Sequence, residues 1–304
     1  MNHFAERVSK EELFHSGHPL CPGCSGGTMT RWIAKALGGD TIATIAASCM
    51  AIATSVYPTS LAIPCLYIAM APSPAGITGI SAALRILKRK GRFPKNRKVN
   101  VIAIAGDGSA GDIGMACLSG AAERNDDGIF FCFDNEAYMN TGIQRSGCTP
   151  EMSWTTSTLE GKSDKKKDLP RIMAAHNIPY VATTSIGFPE DFFKKVIKAR
   201  DMEPGFKYIH VYSPCPTGWK FPESKTIEIA RLGVETGFWI LYEVDHGCLQ
   251  LSDSLGKHRP VKEFLQAQGR FGKLSEEQIQ EYQRVIDRRI ESMILHQKSQ
   301  SLNV

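Results

Sequence analysis

No part of this 304-residue chain stays apolar for the roughly 18–20 residues that a bilayer-spanning helix needs. The most apolar region, residues 41–76, is interrupted by Ser48, Pro58, Pro64, Pro72 and Pro74, so no membrane partner is expected. An excess of one charge is also missing. Thirty-six Lys and Arg stand against 31 Asp and Glu, and the net +5 is spread along the chain instead of massed in a block, so no nucleic-acid partner is implied. The first 20 residues contain acids and no unbroken apolar stretch, which fits neither a secretory signal nor a transit peptide and predicts a cytoplasmic protein. No internal repeat is found. What is present is ordinary in bulk: 42% hydrophobic and 22% charged residues are close to globular averages, and the length suits one large α/β unit with appendages.

The run Lys98 to Ala105 is short, β-branched and apolar, and reads as a buried strand that stops at Gly106-Asp107-Gly108. From Asp112 to Asn125 small and apolar residues recur at helical spacing, and the next strand is Ile129 to Phe133. Strand, turn, helix and strand in this order signal a parallel sheet. Pro179 to Thr184 and Tyr208 to Tyr212 read as further strands, separated by a helix over Pro189 to Arg200. The fold class expected is α/β, a doubly wound and mostly parallel sheet with helices on both faces. Residues Glu151 to Asp168 are polar and read as a surface loop whose lysines form a solvated face. Near the end, Ser275 and Gln278 make a capping box, and Ile279, Tyr282, Ile286, Ile290 and Met293 place one apolar stripe on the following helix. That stripe suits its own domain or a partner subunit equally. The expected organisation is an N-terminal segment over 1–50, a main domain over 51–245 and a C-terminal helical extension over 246–304.

Two constellations carry chemistry. Gly106-Asp107-Gly108 ends one strand and Asp134-Asn135-Glu136 ends the next, with a helix between. Glycines let backbone approach phosphate oxygens, and Asp107 and Asn135 offer hard oxygens to Mg²⁺, so a diphosphate can be held through a metal ion at the carboxyl edge of neighbouring strands. The second constellation is Cys21-Pro-Gly-Cys24, Cys49 and Cys215. Nine cysteines in a reducing compartment are poor candidates for structural disulfides, and four placed thiolates suit either zinc or a [4Fe–4S] cluster. Cys65, Cys117, Cys132, Cys148 and Cys248 are left without a role, Cys117 and Cys132 as small hydrophobes in apolar elements.

The segments GHPLCPGC (Gly17 to Cys24), GDGSAGDIG (Gly106 to Gly114), DNEAYMNTGIQRSG (Asp134 to Gly147) and PCPTGW (Pro214 to Trp219) resemble the β subunit of pyruvate:ferredoxin oxidoreductase and its 2-oxoacid relatives, from about Gly17 to about Gly272. The resemblance implies the thiamine-diphosphate-binding fold. It implies that Cys21, Cys24, Cys49 and Cys215 ligate one [4Fe–4S] cluster, and that Asp107, Asn135 and the Ala137 carbonyl hold Mg²⁺. Gly106, Gly108, Ser109, Asn140 and Thr141 would surround the diphosphate and the reactive end of the cofactor, with Cys49 beside it. Asn140 is the candidate polar group nearest the substrate.

In such enzymes thiamine diphosphate supplies carbanion chemistry, CO₂ leaves a 2-oxoacid, and electrons pass singly through iron–sulfur clusters to ferredoxin, with CoA as acyl acceptor. The chain has no CxxCxxCxxxCP run for relay clusters and no second constellation for the pyrimidine-side carboxylate. The resemblance therefore implies an α subunit carrying the pyrimidine side and γ and δ subunits carrying further domains and ferredoxin-like clusters. Pyruvate is the first substrate expected. The small loop Ser109-Ala110-Gly111-Asp112 departs from many relatives and raises oxalate or a branched-chain 2-oxoacid, with Asp112 either approaching the active carbon or capping the next helix. A non-redox thiamine-dependent decarboxylase and a zinc-stabilised scaffold subunit are the remaining readings.

Overall fold

A computed structural model of the chain describes residues 5–252 and 258–301; the outer ends of the expected segments, residues 1 and 304, lie outside them. Eight strands form one sheet: β1 (Thr41–Ala46), β2 (Cys65–Ile68), β3 (Asn100–Gly106), β4 (Gly128–Asp134), β5 (Tyr180–Ser185), β6 (Phe206–Tyr212), β7 (Tyr242–Asp245) and β8 (Cys248–Leu251). Ten α-helices accompany them: α1 (Ser25–Leu37), α2 (Cys49–Ser55), α3 (Ser73–Arg89), α4 (Met115–Glu123), α5 (Leu169–Ala174), α6 (Pro189–Asp201), α7 (Pro216–Trp219), α8 (Thr226–Glu235), α9 (Val261–Gln266) and α10 (Glu276–Ser301). None of the described helices is long and apolar enough to cross a membrane.

The strand order is β2-β1-β3-β4-β6-β5-β7-β8. The first six are parallel, and β7 and β8 add antiparallel to β5. The apolar runs expected to be strands are so because both faces are covered: every residue of β4, β5 and β6 is buried. One face packs on α1, α2 and α6 through Met29, Ile33, Ile104, Phe131, Phe192 and Val196. The other carries α3, α4 and α5 through Ile77, Ala103, Leu118, Phe130 and Leu169. A third cluster gathers α8, α9 and α10 around Trp219, Trp239 and Phe264. The doubly wound expectation holds. The sheet spans residues 41–251, so the limits expected at 50 and 245 fall within α2 and at the last residue of β7.

Three local readings change. The helix expected from Asp112 begins at Met115, because residues Ser109–Ile113 form a π-turn closed by the Gly114 amide on the Ser109 carbonyl at 2.8 Å. Nor do the lysines of the 151–168 loop form a uniformly solvated face. Lys162 is buried and donates to the carbonyls of Thr149 and Gly147, while Lys166 reaches two buried carboxylates. Hydrophobic alternation is blind to this, since a lysine stem can run inward whenever carbonyls or carboxylates await its ammonium. Finally, α10 packs on its own chain: Ile279, Ile286 and Ile290 are buried in the third cluster, with the capping box formed as expected.

The chain leaves β1 for the edge strand β2 and then crosses back to lay β3 on the other side of β1. Loops after β1 and β3 thus diverge and leave a crevice at the carboxyl edge, the usual ligand position in such sheets.

Candidate functional site

That crevice is a small cavity lined by Ala47, Ser48, Cys49, Met70, Gly106, Asp107, Gly108, Ser109, Phe133, Asn135, Ala137, Tyr138, Met139, Asn140 and Thr141. It brings together every residue expected to surround the diphosphate. Pairing of Gly106 with Phe133 sets the two motif turns level. At Gly106 a Cβ would point into open space, whereas at Gly108 it would collide with the Tyr138 ring, whose hydroxyl donates to the Gly108 carbonyl at 3.0 Å. The second glycine is thus required by packing and the first keeps the cavity open.

Two oxygens and one end of a side-chain amide converge on one point. The side-chain amide of Asn135 turns one terminal atom toward the Ala137 carbonyl at 2.8 Å and Asp107 Oδ1 at 3.1 Å. As the amide nitrogen it donates to both; as the amide oxygen it completes a three-oxygen set that only a cation satisfies. Asp107 is buried and its Oδ2 accepts from Ser146 Oγ at 2.5 Å. Burial, with the neighbouring Asp134 carboxylate, raises its pKa well above the usual range. A bound divalent cation removes that penalty.

Behind these oxygens lies an ion network that the sequence did not reveal. Asp134 pairs with Lys166 at 2.7 Å and with His210 at 2.8 Å, and His210 Nδ1 meets the Tyr208 hydroxyl at 2.8 Å. Burial alone would raise the Asp134 carboxyl, but Lys166 and His210 hold it down to about 2. The Glu136 carboxylate contacts Lys166 at 2.6 Å and Arg270 at 2.6 Å. Asp107, Asp134 and Cys148 form a group whose ligand atoms all lie within 4.8 Å of one another. The Lys166 ammonium already neutralises that corner, and burial keeps the Cys148 thiol neutral. Lys166 stands 32 positions from Asp134 and Arg270 134 positions from Glu136, and the only trace of Lys166 was a charged residue in a polar loop.

Asp112 does not line the cavity. Its carboxylate accepts from the Gly147 amide at 2.9 Å and pairs with Lys167 at 2.9 Å. It does not cap α4 either, since the N-cap residue of that helix is Gly114 and no side chain caps it. Its work is to tie the π-turn to the 146–147 turn. Ser109 Oγ donates to the Met70 carbonyl at 2.5 Å, and Thr141 Oγ1 to Gln144 Oε1 at 2.6 Å, while Asn140 is exposed at the cavity mouth.

The cysteines of the second constellation gather at one side of this cavity. Cys21 and Cys24 share a tight turn, Cys24 N to Cys21 O at 3.0 Å, in which Gly23 has φ +67° and lies so close to the Glu223 carbonyl that a Cβ would collide. Thr226 Oγ1 holds the Gly23 carbonyl at 2.7 Å, fastening the turn to the start of α8. Cys215 precedes α7 and accepts from Gly218 N at 3.4 Å; Cys49 opens α2 and also lines the cavity. Burial pushes the Cys49 thiol up to about 12, reinforced by Cys24, Cys215 and Cys21, and the Cys215 thiol to about 11. Cys24, Cys215 and Cys21 are near enough to Cys49 to oppose its ionisation, and a thiolate there needs a cationic centre. Cys65 and Cys248 are exposed on strands, and Cys132 is a buried small hydrophobe.

Known proteins resemble this chain in sequence and in fold. A family model described as thiamine pyrophosphate enzyme, C-terminal TPP binding domain, matches residues 43–211. Pyruvate synthase subunit PorB of Methanocaldococcus jannaschii is 48% identical over 285 residues, covering 91% of this chain and 95% of that protein. The subunit of the same name from Thermotoga maritima is 40% identical, covering 95% and 94%. Ketoisovalerate oxidoreductase subunit VorB of Pyrococcus abyssi is 42% identical, covering 90% of each. Among solved structures, a chain of the 2-oxoglutarate:ferredoxin oxidoreductase of Magnetococcus marinus superposes with a TM-score of 0.55 at 19% identity, over 75% of this chain and 80% of that one, which is a likeness of fold.

Proposed function

Since the chain belongs to the thiamine pyrophosphate enzymes, in the branch that contains the PorB and VorB oxidoreductase subunits, we propose that it is the diphosphate-side subunit of a cytoplasmic 2-oxoacid:ferredoxin oxidoreductase. Pyruvate is the first substrate and CoA the acyl acceptor. The observation that carries the reading is the sharing of one cavity by Asp107, Asn135 and Ala137, whose polar atoms converge, and by Cys49, a member of the four-thiol group.

Asp107, Asn135 and the Ala137 carbonyl would hold Mg²⁺, and the open backbone at Gly106 would admit the diphosphate. Thiamine diphosphate, when bound, supplies the carbanion chemistry that a protein side chain lacks. Met70, Phe133 and Met139 give the cavity apolar walls, a surrounding in which charge interactions are stronger than in water. Asn140, at the mouth, has the donor and acceptor needed to orient a carbonyl or an aminopyrimidine.

Cys21, Cys24, Cys49 and Cys215 would hold one [4Fe–4S] cluster. The likeness to the PorB and VorB oxidoreductase subunits favours the cluster over zinc, and with it the redox reading over a decarboxylase or a scaffold. Asp112, engaged by Gly147 and Lys167, gives no support to oxalate; the VorB likeness leaves a branched-chain acid as the second substrate class.

Beside the cavity, Ile52, Val56, Tyr57, Leu66 and Tyr67 are exposed on α2, the turn after it and the edge strand β2. Five large apolar side chains left exposed on neighbouring elements suit an interface. It is the face we assign to an α subunit bringing the pyrimidine side of the site, with γ and δ subunits carrying electrons on to ferredoxin.

The test is the complex purified without oxygen together with its partner chains. Brown colour bleached by dithionite, thiamine diphosphate and magnesium in the preparation, and ferredoxin reduction with pyruvate above 2-oxoisovalerate, 2-oxoglutarate and oxalate are expected. A colourless, zinc-containing complex free of thiamine diphosphate would overturn the reading.

A further inference from the structure

The turn that carries Asn135 and Ala137 is held from behind by residues that never reach the cavity. Glu136, between the two, has a left-handed backbone at φ +64° and a carboxylate with no exposure. A non-glycine residue keeps that conformation only where its surroundings enforce it. Its Oε1 contacts Lys166 at 2.6 Å and its Oε2 contacts Arg270 at 2.6 Å, the second an ion contact off the ideal hydrogen-bond direction. Arg270 is itself buried, with Nε donating to Gln268 Oε1 at 2.7 Å and its guanidinium 3.7 Å from the centre of the Trp219 ring. The Trp219 indole N–H donates at 2.8 Å to the carbonyl of Asn135. One guanidinium therefore fixes both the side chain of residue 136 and, through a stacked indole, the backbone of residue 135.

We infer that Arg270 is a positioning residue for the metal–diphosphate site: with Glu136 and Trp219 it holds the Asn135 amide and the Ala137 carbonyl in the register that a divalent cation requires. Arg270 lies in the Gly269–Phe271 turn, 59 positions beyond the end of the matched family model at residue 211. The C-terminal part of the chain thus reaches back to the cofactor side of the sheet without touching the cofactor. Lysine can supply the charge at this position but not the planar face that stacks on an indole.

The inference rests on the function proposed above, and the experiment separates the two. In the assembled complex stripped of cofactor, Mn²⁺ binding in the presence of thiamine diphosphate is followed by electron paramagnetic resonance. Arg270→Met should weaken Mn²⁺ and thiamine diphosphate binding about 10–100-fold, the range for groups that orient metal ligands. The apparent KM for thiamine diphosphate should rise more than turnover falls, and Arg270→Lys should recover part of the loss. Glu136→Gln, a smaller change in volume, should weaken Mn²⁺ in the same direction. Wild-type affinity in Arg270→Met and Glu136→Gln overturns the inference alone. A loss that lysine does not relieve, accompanied by a lowered melting temperature of the whole complex, overturns it in favour of plain structural support. Absence of thiamine-diphosphate-dependent Mn²⁺ binding in the wild-type complex overturns the functional reading with it.

Discussion

Asp107 and Cys215 belong to different halves of the site, and single substitutions should separate them. Asp107 is a buried carboxylate pressed against other oxygens, so Asp107→Ala should cost cofactor affinity at least about a hundredfold, beyond the loss typical of outer-shell changes. Isothermal titration of thiamine diphosphate with and without magnesium measures it. Cys215→Ala should abolish ferredoxin reduction while thiamine diphosphate still binds, because Cys215 does not line the cavity; stopped-flow reduction assays and cofactor content decide this. These residues were readable in the sequence, since a ligand that must sit at a strand end carries a motif with it. Their supports were not. Lys166, His210 and Arg270 come from three remote segments and meet Asp134 and Glu136 only through the fold. Buried counter-charges leave no periodicity, and Asp112 shows the converse, a motif residue whose partners, Gly147 and Lys167, give it a structural task.

At the level of elements, the central strands and α6 were plain because their burial is uniform or their stripe regular. The edge strand β2 and the β7–β8 hairpin were not, being short and half-exposed, with pairing that only the assembled sheet explains. The π-turn at Ser109–Ile113 replaced an expected first helical turn because Asp112 bonds outward to the 147 turn. Long-range packing also fixes α10. Ile286 is 5% exposed and sits with Trp239, Phe264 and Phe271, so Ile286→Ala should lower stability by about 2–5 kcal/mol. Urea denaturation of the assembled complex, followed by tryptophan fluorescence, is the measurement; a loss under about 0.5 kcal/mol, the usual scale of a surface change, would remove α10 from the core.

For the molecule as a whole, the cavity is walled by this chain on one side and bordered on the other by uncovered apolar side chains. Tyr67 is 57% exposed on the edge strand, and Tyr67→Arg should weaken assembly with the α subunit roughly ten- to thirtyfold, the scale of a lost aromatic anchor. Sedimentation at graded concentration reads this directly, and unchanged association would place the partner elsewhere.

The open strand β2 has one more consequence, for how the protein is made. An unpaired edge is a template for any passing strand, and Cys65 stands exposed upon it. A copy synthesised in excess of its partners would offer the cell an adhesive margin. In the assembly proposed above, balanced production of the subunits would follow from the geometry of the sheet: each copy would have to find its companion before it finds another of its own kind.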